Sequence, residues 1–371
     1  MKSLHILHSE AATGWGGQEI RIFQEIVHLL KRGHRVSLLC QPGSPLAERG
    51  KSLDHAEFTL HPFAMKRAFD VPAFLSLRNI FRQCRPDIVH THSSIDSWLF
   101  GLTAKSLRIP VIRSRHISIP VRKFIPNCWL YSKIPQGIIT SGDAIRQQMI
   151  DVPGVAAEKV SSIAAGVDLE RFDLKVSGDN IRRELGLADD CPLIGKIGVI
   201  RGWKGYDYFL QAIPFVLEKW PQAQFVIVGT GPGYDEIKGK AEAMKLGNTI
   251  HVLGHRDDIP EILAALDVLA LASFAGEGTP QVIPQAFAMK TPVVATRVGS
   301  TPELFRGEKL GILAEPKNGK SLADGILRLL DDKPLAQNIT DHAYQHCLNE
   351  LTIDRMIDQN LAVYQSVLPN P

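Results

Sequence analysis

Residues 276–296 read GEGTPQVIPQAFAMKTPVVAT, a short segment that changes character three times. It opens with a lone carboxylate, Glu277, between two glycines, and continues through Pro280 into an apolar run. A turn and a β-branched run, 293–296, then follow. Because proline suits the first turn of a helix, where no amide donor is needed, the segment predicts a glycine turn, a helix and a short strand.

The same alternation of short β-rich runs and helical periods extends over the whole chain. Strands are predicted at 4–7, 36–40, 87–90, 110–114, 137–140, 193–199, 224–228, 250–253, 268–272 and 292–295. Helices are predicted at 18–31, 72–84, 96–105, 143–150, 206–219, 234–244, 259–266, 319–330, 334–350 and 352–368. The alternation stops near 166–177, where Gly, Asp and charged residues indicate a linker.

Short apolar strands separated by helices favour parallel sheets with right-handed crossovers. Two such series in one chain predict an α/β protein built from two Rossmann-like, doubly wound domains that face each other across a cleft. We place the N-terminal domain at residues 1–172 and the C-terminal domain at 177–351.

The composition is typical of a globular protein with more than one domain. The chain has 371 residues, of which 44% are hydrophobic and 22% charged. No apolar run approaches the ~20 residues that span a bilayer, and the N-terminal residues do not resemble a signal peptide. The five cysteines are scattered and never form a C-x-x-C pair, so we expect reduced thiols, a cytoplasmic protein and no structural metal cluster.

The charge is distributed unevenly along the chain. Residues 1–175 contain 23 Lys and Arg against 15 Asp and Glu, whereas residues 176–371 contain 19 against 24. Around 121–133 the basic residues are interleaved with aromatic ones, a pattern that suits an anionic membrane surface. A solvated helix face with core aromatics explains the same pattern. Nucleic acid is a weaker alternative, since no nucleic-acid-binding module accompanies the charge.

Ligands of open α/β sheets bind beyond the carboxyl ends of the strands, so the residues that follow each strand are the candidate functional residues. These segments are 13-TGWGGQE-19, 90-HTHSS-94, 113-RSRHIS-118, 198-GVIRGWKG-205, 229-GTGPG-233, 254-GHRDD-258 and 273-SFAGEGTPQ-281. They contain glycine turns and basic residues, but neither a Cys–His nucleophile pair nor a serine elbow.

The glycine loop 14-GWGGQE-19 precedes a helix, where free backbone amides attract a phosphate or a sugar. It lacks the third glycine of the dinucleotide fingerprint, and no acid ends the second strand at Cys40-Gln41. A tight turn without a ligand explains the loop equally well. The missing acid argues against a dinucleotide-dependent oxidoreductase, an alternative that NAD binding would test.

Arg201 and Lys204 lie where a helix begins, a position that is electrostatically unfavourable for cations. A bound dianion such as a diphosphate would neutralise them, and this is the interpretation that we favour. The alternative is that both side chains extend into solvent.

The motifs GWGGQE, DIVHTH, RSRH, IAAGVDLERF, GVIRGWKG, GTGP, LGHRDDI and EGTPQVIPQAFAMKTPVVATRVGSTPEL occur in this order over nearly the whole chain. Together they resemble family 4 of the retaining glycosyltransferases with the GT-B fold. The resemblance implies that the second domain binds a nucleotide-diphosphate sugar, that the first shapes the acceptor site, and that a C-terminal helix, 352–371, returns to the first domain. It also implies transfer to a hydroxyl of a glycan or glycolipid, as in lipopolysaccharide or other cell-surface polysaccharide synthesis.

The resemblance implies roles for individual residues. The expected catalytic residues are His116, Arg201, Lys204 and Glu277. The expected donor-binding residues are Gly16, Gly17, Arg201, Lys204, Gly231, Arg256, Glu277, Gly278, Thr279 and Gln285. The acceptor cleft is expected to include His90, His92 and Arg115. Since two cations neutralise the diphosphate, no metal or other cofactor is expected.

One residue departs from the family pattern. Gln285 stands where the family has a second acid, eight residues after Glu277. A side-chain amide still offers one acceptor and two donors to the ribose hydroxyls, so we expect donor binding to survive with a loss of order 1 kcal/mol. The substitution also leaves open a pseudoenzyme that binds a nucleotide sugar without transfer, and a GT-B nucleotide-sugar epimerase is a further alternative. A metal on His90 and His92 would need a third ligand that the sequence does not reveal.

Overall fold

A computed structural model describes residues 3–188 and 190–368, without the side chain of Asn248. The chain forms two compact units: the first contains the residues up to Ala165 and those from Ile353, and the second is Gly166–Thr352. The second unit therefore begins before the predicted end of the N-terminal domain at 172 and before the predicted start of the C-terminal domain at 177. The reason is local, because Val167 N donates to Leu351 O and Arg171 Nη2 donates to Asp257 O, bonds that hold the expected linker to the second unit.

The first unit is built on a parallel sheet whose strand order is β3-β2-β1-β4-β5-β6-β7. The strands are β1 His5–Glu10, β2 Arg35–Cys40, β3 Phe58–Pro62, β4 Ile88–Thr91, β5 Val111–Arg115, β6 Gly137–Thr140 and β7 Val160–Ser162. The helices between them are α1 Gly17–Lys31, α2 Pro45–Lys51, α3 Val71–Cys84, α4 Ser94–Ser106, α5 Ile125–Ser132 and α6 Asp143–Ile150.

Both faces of this sheet are covered, as expected for a parallel sheet. Ile6 points to the face where Ile22 and Ile26 of α1 pack, whereas its neighbour Leu7 packs with Phe81 and other residues on the opposite face. The two-residue period of a strand thus supplies two separate cores from one apolar run.

The second unit contains a parallel sheet with the strand order β10-β9-β8-β11-β12-β13. Its strands are β8 Leu193–Ile197, β9 Gln224–Val228, β10 Ile250–Gly254, β11 Val268–Leu271, β12 Val293–Thr296 and β13 Ile312–Ala314. Its helices are α7 Asp179–Glu184, α8 Tyr206–Leu217, α9 Tyr234–Ala243, α10 Ile259–Ala265, α11 Val282–Ala288, α12 Thr301–Phe305, α13 Gly319–Asp331 and α14 Lys333–Glu350.

A last helix, α15 Ile353–Val367, belongs to the first unit. Its buried residues Ile357, Leu361 and Tyr364 join the core formed by α1 and β1. Residues 369–371 of the predicted terminal helix lie outside the described residues. Of the helices in the described part of the chain, none is both long and apolar enough to cross a membrane.

Candidate active site

Glu277 and Lys204 form the centre of the candidate site in the second unit. Lys204 follows β8 and Glu277 follows β11, and Lys204 Nζ lies 2.6 Å from Glu277 Oε1. Ser273 Oγ donates to the same carboxylate oxygen at 2.6 Å. Glu277 is only 5% exposed, so its charge is stabilised by these two donors rather than by bulk water. Two residues that are 73 positions apart therefore act as one ionic unit.

Arg201 lies on the same loop but not in the ion pair. Its guanidinium carbon lies 5.1 Å from the centroid of the Trp203 ring, and its side chain is exposed. Phe274 N donates to Trp203 O at 2.9 Å, which joins the loop after β8 to the loop after β11. The structure thus brings one predicted cation to Glu277 and leaves the other accessible.

Close backbone contacts explain two glycines of the site. Gly205 has φ +66°, and a Cβ there would lie 1.9 Å from Ala272 O. Gly231 has φ +148°, and its Cβ would lie 2.5 Å from Ile200 O. Side chains at either position would push the strand ends apart. Gly231 therefore has a structural reason to be glycine, whatever its contact with a ligand.

Lys196 is an ionisable residue that the sequence motifs do not include. It lies within β8, is almost fully buried, and its Nζ is 4.5 Å from the centroid of the Tyr206 ring. Burial and, to a smaller extent, the charge of Lys204 lower the pKa of Lys196 to about 7, and the charge of Glu277 opposes this shift. The only sequence signal was a lysine inside the apolar strand LIGKI.

The segment after Glu277 differs slightly from the prediction. Helix α11 begins at Val282, so Pro280 precedes the helix instead of occupying its first turn, and Pro280 O accepts from Ile283 N. Gly278 is buried next to Glu277, while Thr279 and Gln285 are half-buried. All three residues lie between the carboxyl end of β11 and the middle of α11.

Arg256, a predicted donor-binding residue, is engaged elsewhere. Its Nη1 lies 2.6 Å from Glu184 Oε1, and its Nη2 lies 2.6 Å from Asp258 Oδ2. These two carboxylates raise the pKa of Arg256 above its ordinary value. The side chain thus connects the loop after β10 to α7, and its role in donor binding stays a prediction.

The glycine loop of the first unit satisfies part of its own hydrogen-bonding capacity. Gly16 N donates to Glu19 Oε2 at 2.8 Å, and Gly17 is the first residue of α1. The Gly16 amide is therefore not available to a phosphate in this structure. Beneath the loop, the fully buried Glu10 accepts from Ala12 N, and burial together with Asp96 raises the pKa of Glu10 to about 8.

His90 does not line an open site. It is fully buried, with Nδ1 2.7 Å from the Tyr364 hydroxyl and Nε2 2.8 Å from Ser114 Oγ. The side chain is therefore engaged inside the first unit, and its contribution to an acceptor cleft stays a prediction. Arg115 is half-buried, and its Nη1 donates to the Tyr131 hydroxyl at 3.0 Å.

His92 and His116 are directly hydrogen-bonded. His92 Nδ1 lies 3.3 Å from His116 Nε2, and His92 Nε2 lies 3.0 Å from His8 Nδ1. His8 was missed in the sequence, although β1 and β4 pair in parallel with His8 opposite His90. The signal in the sequence was a histidine within each of these two strands, but it identifies a cluster only when the strands are known to be neighbours.

His8, His90 and His92 also form the triplet of nitrogen donors that the sequence did not reveal, with donor atoms within 4.8 Å of one another. Both ring nitrogens of His90 and of His92 are already hydrogen-bonded to protein groups. A metal would have to replace several of these bonds, so the geometry fits a hydrogen-bonded cluster better than a metal centre.

Two Rossmann-like units in series, each with polar residues after its strands, are the architecture of the GT-B fold. The family model "Glycosyltransferase Family 4" matches residues 15–171, and "Glycosyl transferases group 1" matches residues 177–346. The chain therefore belongs to family 4 of the glycosyltransferases, as the sequence motifs implied.

Individual proteins are similar to this chain over nearly its whole length. The chain is 27% identical to UDP-Gal:alpha-D-GlcNAc-diphosphoundecaprenol alpha-1,3-galactosyltransferase of Escherichia coli, an alignment that covers 100% of both proteins. A glycosyltransferase from Rickettsia africae ESF-5 superposes with a TM-score of 0.88 at 20% identity over 100% of both chains. Anabaena HepE, solved with UDP and glucose, has a TM-score of 0.84 at 20% identity and covers 98% of this chain and 100% of its own.

Proposed function

We propose that this glycosyltransferase moves a sugar from a nucleotide-diphosphate donor to a hydroxyl of a glycan or glycolipid, with retention and without a metal. The observation that carries the proposal is the ion pair between Lys204 and Glu277 at the ends of β8 and β11. It puts a cation for a diphosphate next to a carboxylate that accepts hydrogen bonds from sugar hydroxyls.

The reaction breaks the bond between the anomeric carbon and the phosphate oxygen and forms a bond from that carbon to the acceptor oxygen on the same face. The acceptor proton moves to the departing phosphate oxygen. Arg201 and Lys204 stabilise the negative charge that develops on the diphosphate, which is the contribution that a divalent cation makes in other enzymes. Glu277 orients the sugar, and His116 contacts a substrate hydroxyl.

The donor is proposed to be a UDP-sugar and the acceptor a lipid-linked glycan in cell-surface polysaccharide synthesis. The E. coli relative is named for UDP-Gal and a diphosphoundecaprenol-linked sugar, and the Anabaena relative was solved with UDP. A donor made in the cytoplasm and an acceptor in the bilayer are consistent with an enzyme that works at the inner face of the cytoplasmic membrane.

The surface of the first unit supports peripheral membrane binding. Eight of the nine large apolar side chains that are exposed in the described residues belong to this unit: Phe69, Val71, Leu75, Ile117, Ile119, Phe124, Ile125 and Trp129. These side chains fall into two segments, 69–75 and 117–129. Trp98 lies between the segments, since its ring centroid is 5.0 Å from that of Phe69 and 5.8 Å from that of Trp129. Basic residues such as Arg122 and Lys123 accompany these side chains, as at anionic lipid surfaces.

Flotation with liposomes tests the membrane proposal. Wild-type protein is expected to bind vesicles of anionic phosphatidylglycerol at low salt and to bind zwitterionic vesicles much less. Charge reversal at Arg122 and Lys123 should reduce binding several-fold, whereas reversal at the exposed Lys238 and Lys333 of the second unit should not. Equal binding by both double variants would remove this part of the proposal.

Thermal stabilisation by UDP, GDP, ADP and NAD tests the donor site. A nucleotide at 100 times its dissociation constant adds about 2.7 kcal/mol of stability. We expect one nucleoside diphosphate to stabilise wild type, and Arg201→Ala with Lys204→Ala to abolish the shift, while Lys238→Ala with Lys333→Ala keeps it.

The same assay, followed by turnover, separates the alternatives. Stabilisation by NAD alone indicates an oxidoreductase, and donor binding without transfer to any lipid-linked acceptor indicates a pseudoenzyme. Interconversion of the nucleotide sugar in the absence of an acceptor indicates an epimerase. Each result contradicts the proposed transfer.

A further inference from the structure

Three imidazoles of the first unit form a continuous hydrogen-bonded row from the half-buried His116 to the buried His8. The links are His116 Nε2 to His92 Nδ1 at 3.3 Å and His92 Nε2 to His8 Nδ1 at 3.0 Å. The rings of His116 and His92 are stacked at 18°, and those of His92 and His8 at 12°. Both nitrogens of the central ring are therefore committed to other histidines.

Such a row has only two consistent arrangements of protons. Each link needs one N–H and one lone pair, and a neutral imidazole has one of each. Once the proton of His8 is placed, those of His92 and His116 follow. The tautomer of the outer ring is thus set by a group at the inner end of the row.

The inner end lies near a buried carboxylate. His8 Nε2 has no hydrogen-bond partner among the described residues, and its ring packs 5.1 Å from that of His90. His90 Nδ1 lies 3.7 Å from Glu25 Oε1, and the Tyr364 hydroxyl donates to that oxygen. The negative charge of Glu25 opposes the lowering of the His8 pKa by burial, so its field favours the arrangement that carries an N–H on the inner nitrogen of His8.

We propose that His8 and His92 are positioning residues that hold His116 as the Nε2–H tautomer, leaving His116 Nδ1 as a lone pair for a substrate hydroxyl. The assignment of the tautomer concerns the protein alone. The hydroxyl partner rests on the function proposed above for His116.

The charges around the row keep it neutral. Burial lowers the pKa of His92 well below its ordinary value, and His90, His8, His116 and Arg21 lower it further. Burial also lowers the pKa of His116, helped by Arg21, His90 and Arg115 and opposed by Glu25. A protonated ring would carry two N–H groups and could not accept, so neutrality is what the row requires.

Nitrogen NMR of protein labelled in its histidines reads the tautomers directly. In wild type, His116 is expected to show a protonated Nε2 and an unprotonated Nδ1 at neutral pH. His92→Phe removes both links and should produce a mixture of tautomers at His116. His92→Asn should restore the Nε2–H form, because the Asn amide reaches the position of Nδ1 and can accept there. His61→Phe, on β3 away from the row, is the matched control and should change nothing.

Kinetics provides the second measurement. His92→Phe should lower kcat at least about ten-fold with little change in the KM for the donor, and should move the acidic limb of the pH profile of kcat upward. His92→Asn should recover most of kcat. His92→Gln is the comparison, because its longer amide reaches the position of Nε2 instead of Nδ1. If His92→Phe lowered kcat only through a general packing defect, Asn and Gln would restore kcat equally.

Three results would overturn the proposal. One is a wild-type His116 that carries its proton on Nδ1, and another is a tautomer that is unchanged in His92→Phe. The third is a stoichiometric metal in the purified protein that is lost in both His8→Phe and His90→Phe, because a metal on this cluster would take the lone pairs of the row. If the NMR result holds but His116→Phe retains full transfer, the role of His116 in the proposed function fails, and the row has no substrate to serve.

Discussion

Glu277 and Lys204 depend on each other's charge, because their side chains meet at 2.6 Å in a position largely screened from solvent. The sequence identified both residues, but as separate contacts to a donor. In the folded chain each sets the environment of the other, so neither can be altered in isolation.

At the residue scale, Glu277→Gln is expected to lower kcat/KM by about 10- to 100-fold, since a hydrogen bond to a charged group contributes ~1.5–3 kcal/mol. The neutral amide accepts less strongly from a sugar hydroxyl and leaves Lys204 without its counter-charge. Steady-state kinetics with the donor identified by thermal stabilisation provides the measurement. Glu218→Gln, an exposed acid on the same unit, is the control, and an equal loss in both variants would contradict the assignment.

A second residue-scale prediction concerns the glycine that follows Lys204. Gly205 and Gly186 both have φ +66°, but a Cβ at Gly186 meets nothing within 4 Å, whereas one at Gly205 meets Ala272 O at 1.9 Å. Gly186→Ala should cost only the left-handed strain of ~1–2 kcal/mol. Gly205→Ala should cost ~1–3 kcal/mol more, because the backbone that follows β11 has to move.

Urea unfolding of both alanine variants measures this difference. The comparison removes the effect of backbone strain, which the two positions share. Equal losses of stability would show that the loops after β8 and β11 are not in the close contact described.

At the scale of elements, α15 is anchored through a polar contact as well as an apolar face. The Tyr364 hydroxyl lies between Glu25 of α1 and His90 of β4. Tyr364→Phe leaves both buried partners unsatisfied and is expected to cost ~1–3 kcal/mol. Unfolding monitored by circular dichroism measures this loss of stability. Tyr344→Phe is the control, because Tyr344 contacts Lys290 Nζ through its ring, at 5.2 Å from the centroid, and phenylalanine keeps that ring. A loss no larger than that of the control would contradict the role of the hydroxyl.

The strands show which elements local patterns reveal. All ten predicted strands are present, whereas β3, β7 and β13 were missed, and each of them lies at an edge of its sheet. An edge strand has one neighbour, so it can be short or partly exposed, as the half-exposed β3 is. Its identity depends on the neighbouring strand rather than on its own periodicity.

At the scale of the whole chain, the buried ionisable groups of the first unit predict a pH optimum of stability. Burial lowers the pKa of His8 to about 3, so the unfolded chain binds more protons than the folded one below ~6.5. The stability that His8 contributes as a neutral group is therefore present above ~6.5 and is lost as the pH falls towards 3. The contribution of Glu10 to stability depends on pH in the opposite direction. The pKa of Glu10 is raised to about 8, so the stability that it contributes is lost as the pH rises from ~4.5 through 8.

Urea unfolding at pH 6.5, 5.5 and 4.5 tests the acidic side. Wild type should lose stability with acidification, because the lowered pKa values of His92 and His116 add to that of His8 and together outweigh the opposite change at Glu10. His8→Phe should reduce that slope by up to ~1.4 kcal/mol per pH unit. His55→Phe, at an exposed position of the same unit, should leave the slope unchanged. Parallel curves for wild type and His8→Phe would contradict the neutral, buried state of this ring.

Local periodicity was enough to reveal the two series of strands and helices, because a strand buried on both faces and an amphipathic helix each carry their pattern within a few residues. Most candidate residues followed from it, since they come directly after these strands. The pairing of Lys204 with Glu277, the burial of His90, the capture of Arg256 by two acids and the approach of His8 to His92 did not follow. Each depends on contacts that strand order and loop packing create, in most cases between residues more than seventy positions apart, and no local pattern records which loops become neighbours.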